Sequence, residues 1–184
     1  MTRAQRVALL TLLNRELQRR GSWCGETHIQ KATFFLQELL GVDAGFEFIL
    51  YRHGPFSFDL RDELASMQAD GLLELAARYP GYGPSYYPTQ FSETFLERFP
   101  KTTARYLSQI QFVADELGSK GVAELERLAT SLFLAQSEGI WDPHKRARRL
   151  VDLKPHVSLL DARSATAEVD RIIDRSLPFS LKEG

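Results

Sequence analysis

The chain has a single cysteine, Cys24, so it can close no internal disulfide and build no thiolate zinc site. That economy suits a reducing compartment, and the cytoplasm is the expected location. No stretch approaches the roughly eighteen consecutive apolar residues of a membrane span. The start, Met1-Thr2-Arg3-Ala4-Gln5-Arg6, leads into an amphipathic segment and not an apolar one, so neither a signal peptide nor a membrane anchor is expected. The glycine devices that cradle phosphates, dinucleotides or a nucleophilic serine (G-x-x-x-x-G-K-S/T, G-x-G-x-x-G, G-x-S-x-G) are missing. The histidines at 28, 53, 144 and 156 never fall at H-x-H or H-x-x-x-H spacing. No metal and no cofactor are therefore expected.

Excess charge is also absent, since the formal net charge is -1, but the balance hides an uneven distribution. Residues 1–20 carry five arginines against Glu16, whereas residues 21–91 carry four basic and nine acidic side chains. A chain of 184 residues that is 43% hydrophobic has the composition of an ordinary folded domain with its own core.

Apolar periodicity supplies most of the secondary structure. Val7, Leu10, Leu13 and Leu17 predict a helix over 3–20, stopped at Gly21. Thr27 followed by Gln30 suggests a capping box for a second helix, whose stripe Ile29, Ala32, Phe35, Leu36, Leu39 and Leu40 ends at Gly41. Residues 46–51 read as a short strand that Gly54-Pro55 then breaks. Ser57 caps a third helix with Leu60, Leu64 and Met67 inside, stopped by Gly71. Residues 72–76 and 86–91 flank a Gly/Pro-rich loop and predict a wide hairpin. Later helices are expected at about 101–117, 121–138, 143–153 and 164–176, with Asp142-Pro143 as a cap and first residue. The expected fold is mostly α. A winged-helix-like unit over 1–91, three helices plus a β-hairpin wing, would carry a packed helical extension over 92–184, and the later helices, too short to stand alone, would pack on that unit or in a homodimer.

Gln30-Lys31, Phe34-Phe35-Leu36-Gln37, Phe46-Glu47-Phe48, the turn Tyr51-Arg52-His53-Gly54-Pro55-Phe56-Ser57, and then Leu60, Leu64 and Gly71-Leu72-Leu73 together resemble the prokaryotic YwgA-like proteins, which look related to Panacea-type antitoxin domains. This resemblance spans residues 28–75. It implies toxin neutralisation, phage-related defence or gene regulation, with no cofactor and no catalytic residues to carry over.

A winged helix would present its third helix to the DNA major groove. Here that helix holds Asp59, Asp62, Glu63 and Asp70 against Arg61 alone, which repels a polyanion. The first expectation is therefore a non-enzymatic, antitoxin-like regulator. It would bind a toxin or another basic protein through Asp59, Asp62 and Glu63 and through the wing tyrosines Tyr79 and Tyr82. A DNA-binding regulator gripping phosphates through 3–20 and through Lys145, Arg146, Arg148 and Arg149 is the alternative. A third possibility is an enzyme built on the turn bearing Tyr51, Arg52, His53 and Ser57, although turn formation, core anchoring and helix capping account for the same residues.

Overall fold

The computed structural model describes residues 1–77 and 83–181. Helix α1 (Arg3–Arg19) starts at Thr2, whose hydroxyl accepts from the Gln5 N–H while the Gln5 side chain accepts from the Thr2 N–H. The capping box of this chain is thus at its first helix. It is not at Thr27–Gln30, because α2 (Glu26–Phe34) has Gly25 as its N-cap and no side-chain cap bond. Gln30 faces inward and is used elsewhere. A single π turn (Phe35–Leu39) ends α2 before Gly41 takes a left-handed conformation.

The segment expected as one strand and a break is a small hairpin. Strand β1 (Ile49–Tyr51) pairs antiparallel with β2 (Gly54–Phe56), Leu50 opposite Pro55 and Tyr51 opposite Gly54. Gly54 and Pro55 begin the second strand instead of ending the first. Gly54 supplies the positive φ of +87°, and both strands of an isolated pair have an outer edge, where the N–H that proline lacks costs no ladder bond. Ser57 then caps α3 (Phe58–Ala69), which buries Leu60, Leu64 and Met67 as the spacing predicts.

A second antiparallel hairpin, β3 (Leu73–Ala76) with β4 (Ser85–Pro88), follows α3. Strand β4 stops earlier than expected because Thr89 caps a further short helix, α4 (Gln90–Leu96). The wing positions Arg78, Tyr79 and Tyr82 lie outside the described residues. Strand β4 lies against α1, where the Asn14 and Gln18 amides donate to the Tyr86 carbonyl at 3.1 and 3.0 Å and the Tyr86 N–H donates to the Cys24 carbonyl.

Helices α5 (Pro100–Leu117), α6 (Val122–Gln136), α7 (Pro143–Leu153) and α8 (Leu159–Ser176) complete the mostly helical fold. Asp142 caps α7 and Ser158 caps α8, which starts five residues before the expected 164. Val7, Leu10 and Phe35 from the first half share one buried cluster with Ile110, Leu128, Leu132, Val169 and Ile172 from the second. Among the described residues no helix is long and apolar enough to cross a membrane.

Between α7 and α8 the Arg146 guanidinium is fully buried and donates to the Asp170 carboxylate and the Thr166 carbonyl. Removing one partner of a buried pair strands the other charge. Asp170→Ala is expected to cost about 2 kcal/mol in urea denaturation, below the full buried-pair range because Asp170 itself is partly solvated. Arg146→Met combined with Asp170→Ala should recover most of that loss; a double variant no more stable than Asp170→Ala would refute the stranded charge as the cause.

Candidate functional site

Residues 30 and 37 are two turns apart and share one face of α2 and its π turn. The Gln37 amide donates to the Phe46 carbonyl at 2.7 Å and accepts from the Phe46 N–H at 3.0 Å. The Gln30 amide does the same for Ser57, donating to its carbonyl and accepting from its N–H, both at 2.9 Å. A carboxamide has one donor face and one acceptor face, so each glutamine replaces a missing strand partner for one residue of the 46–57 segment.

The hairpin tip is held from below as well. Lys31 Nζ donates to the Pro55 carbonyl at 2.8 Å and Lys154 Nζ to the Arg52 carbonyl at 3.0 Å. A Cβ at Gly54 would lie 2.8 Å from Thr130 Oγ1, so only glycine lets the tip approach α6. His53 Nδ1 stands 3.0 Å from Glu126 Oε1, with its side chain 71% exposed. Lys31 is only 1% exposed. Burial lowers its pKa to about 8, partly offset by the Glu126 carboxylate and reinforced by the nearby Lys154 charge. Burial also lowers the Lys154 pKa, against the pull of Glu126. These amines serve as donors to backbone carbonyls that would otherwise be lost to water.

The opposite side of the hairpin meets solvent. Tyr51, Phe56 and Phe58 form a ring cluster with centroids 5.1 to 5.9 Å apart. Tyr51 and Phe58 are 45% and 40% exposed, and Ile49, across the strand from Phe56, is exposed too. The Arg52 guanidinium lies over Tyr51 at 5.9 Å and that of Arg61 over Phe58 at 5.1 Å. Asp59 and Asp62 extend this face along α3, both exposed, with Asp62 3.0 Å from Arg61.

Folding rearranges the charges seen in the sequence. Glu63, expected on the acidic face, is buried and pairs with Arg3 at 2.9 Å and Arg6 at 3.1 Å; Asp70 also pairs with Arg3. The outward carboxylates at the hairpin end of α3 are therefore Asp59 and Asp62. Of the second basic cluster, Lys145 and Arg148 are exposed, but Arg146 is buried against Asp170 and Arg149 pairs with Glu138 at 3.1 Å. Ser57 is a buried cap, while Arg52 and His53 turn to different neighbours, so Tyr51, Arg52, His53 and Ser57 do not converge on a reaction centre. Among the described residues no group of three or more His, Cys, Asp or Glu could hold a metal.

Sequence reasoning gave Lys31 no role of its own and passed over Glu126 and Lys154. Lys31 did leave a signal, since it lies three and four residues before Phe34 and Phe35 and so falls inside the apolar stripe. Glu126 and Lys154 left none, because their partners are remote in sequence.

The lowered Lys31 pKa sets a pH dependence. Between pH 8 and the ordinary lysine value near 10.4 the unfolded chain keeps a proton that the folded chain has released, so stability rises with pH across that window. The rise should be on the order of 3 kcal/mol, with Lys154 adding to it in the same direction. Lys31→Met should flatten much of it in denaturation curves taken from pH 7 to 10; parallel curves for the two proteins would refute the buried, easily deprotonated amine.

No known protein-family model matches this chain, and no curated protein matches it either.

Proposed function

We propose that this protein is a non-enzymatic regulator that binds a protein partner through the β1–β2 hairpin and the adjoining exposed side of α3. The observation that carries this reading is the ring cluster of exposed Tyr51 and Phe58 with half-buried Phe56, over which Arg52 and Arg61 are laid. Single exposed apolar residues are ordinary, but clustered aromatics with stacked arginines have the composition of interface hot spots. Gln30, Lys31 and Lys154 hold the hairpin in place before any partner arrives, which lowers the ordering cost of association. At the edge Asp62 is held by Arg61, which leaves Asp59 as the carboxylate that favours a basic partner.

In this reading the first 91 residues form a winged-helix-like unit turned to protein contact, and the YwgA-like resemblance makes an antitoxin-type role, against a toxin or another basic protein, the natural setting. DNA binding has fewer free cations to work with than the sequence suggests. In α1 and its C-cap, Arg15 pairs with Glu93, Arg19 with Glu16, and Arg20 with Glu16 and Asp115.

Crosslinked capture from the native host, quantified for wild type, Tyr51→Ala/Phe58→Ala and Asp59→Lys/Asp62→Lys, tests the reading. Partner recovery should fall by about tenfold or more for the aromatic variant and several-fold for the charge reversal, with helical content unchanged. Equal recovery for all three would sink it. Salt-sensitive binding to duplex DNA that Lys145→Glu/Arg148→Glu abolishes would favour the DNA reading instead.

A further inference from the structure

Pro55 fixes which backbone groups of β1 are left over. In an antiparallel pair, facing residues alternate between those that exchange both backbone bonds and those that exchange none. Pro55 has no N–H, so Leu50–Pro55 is a non-bonded pair, and Ile49–Phe56 and Tyr51–Gly54 are the bonded ones. The Leu50 N–H and carbonyl therefore point away from β2.

The two outer edges of the hairpin are treated differently. On β2, Lys31 takes the Pro55 carbonyl, Gln30 takes both backbone groups of Ser57, and α2 and α6 pack along the strand. On β1, among the described residues, nothing bonds to the Leu50 N–H or carbonyl and no helix packs beside the strand in the same way. Sheet edges are commonly guarded by a proline, a lysine, a bulge or a covering element. Strand β1 is Ile49-Leu50-Tyr51 in regular register, with none of these guards, and Ile49 and Tyr51 are exposed.

The charges at its two ends are opposite. Glu47 precedes the strand and Arg52 follows it; both are exposed, and neither has an oppositely charged partner among the described residues. A strand that is acidic before its start and basic after its end is complementary to itself when two copies run antiparallel.

We propose that the outer edge of β1 pairs with the same edge of a second copy of this chain. The two-fold axis passes beside Leu50, which exchanges both backbone bonds with Leu50 of the partner subunit. Ile49 then lies opposite the partner's Tyr51, and Tyr51 opposite the partner's Ile49, all on one face of the sheet. Glu47 comes to the partner's Arg52, and Arg52 to the partner's Glu47. The two hairpins become one four-stranded sheet, which satisfies the open backbone groups and enlarges a unit too small to be stable unaided. The end charges favour a second copy over an unrelated strand. The edge is separate from the ring face of Tyr51 and Phe58, so the association does not depend on that face binding another protein.

Sedimentation equilibrium of the full chain at low salt, from about 1 µM to 1 mM, reads the association. The wild type should dimerise with a Kd on the order of 100 µM, in keeping with so short an edge. Leu50→Pro removes the outward N–H and puts a ring in its place while sparing the β1–β2 bonds. It should weaken the dimer by about tenfold or more, with helical content and thermal midpoint close to wild type. Glu47→Arg and Arg52→Glu should each weaken it several-fold, because like charges then meet at both ends. An equimolar mixture of these two variants should associate about as well as wild type, since every end contact in the mixed dimer is again between opposite charges. That mixture decides the matter should Leu50→Pro not fold. A chain that stays monomeric throughout the range, undiminished association of folded Leu50→Pro, or a mixture no tighter than its two components would each overturn the proposal.

Discussion

The segment from Phe46 to Ser57 cannot satisfy its own backbone, and side chains of α2, of its π turn and of Lys154 do it instead. A two-stranded hairpin of three residues a side is too small to be stable in water, and it enters a region where unpaired N–H and C=O groups carry a desolvation penalty. Gln37 and Gln30 each complete one residue of this segment, and Lys31 completes a third carbonyl between them. The placement of the Ser57 cap, the start of α3 and the outward turn of Tyr51 and Phe58 all follow from those bonds. Gln30, Lys31 and Gln37 on one side and Phe46 and the 51–57 turn on the other are the two halves of this fastening.

Charge segregation along the chain serves folding before it serves any partner. The arginine-rich α1 and the acidic α3 meet through Arg3, Arg6, Glu63 and Asp70, while Glu16 and Asp115 hold Arg20. Glu63 and Glu16 are buried while their arginines stay partly in solvent, and together these pairs offset much of the charge that either helix would present alone. What remains outward near the hairpin is a small, mixed face whose aromatic rings and stacked arginines matter more than its net charge.

Helices α2 and α6 hold the hairpin together: α2 carries Gln30 and Lys31, while α6 presents Glu126 and Thr130 to the hairpin tip.

Periodicity and caps made much of the fold legible. The stripes of α1, α2 and α3, the Ser57 and Asp142 caps, the β3–β4 hairpin and the bounds of α7 follow from local spacing and from the hydrogen-bonding reach of side chains three residues away. A glutamine three residues after a threonine suits a capping box at Thr27 and Gln30, but tertiary structure gives Gln30 a better use, 27 residues away. Glu63 likewise read as an outward acid until the α1 arginines were brought against it, and Gly54-Pro55 read as a stop until α6 came close enough to require glycine there. By itself the sequence determined most of the helical segments, α4 and the start of α8 excepted, and which faces are apolar, since both depend on neighbours within a turn or two. Tertiary structure alone decided which polar side chains are used up inside and which are left to bind, because a buried donor or acceptor must find its partner wherever the folded chain brings one.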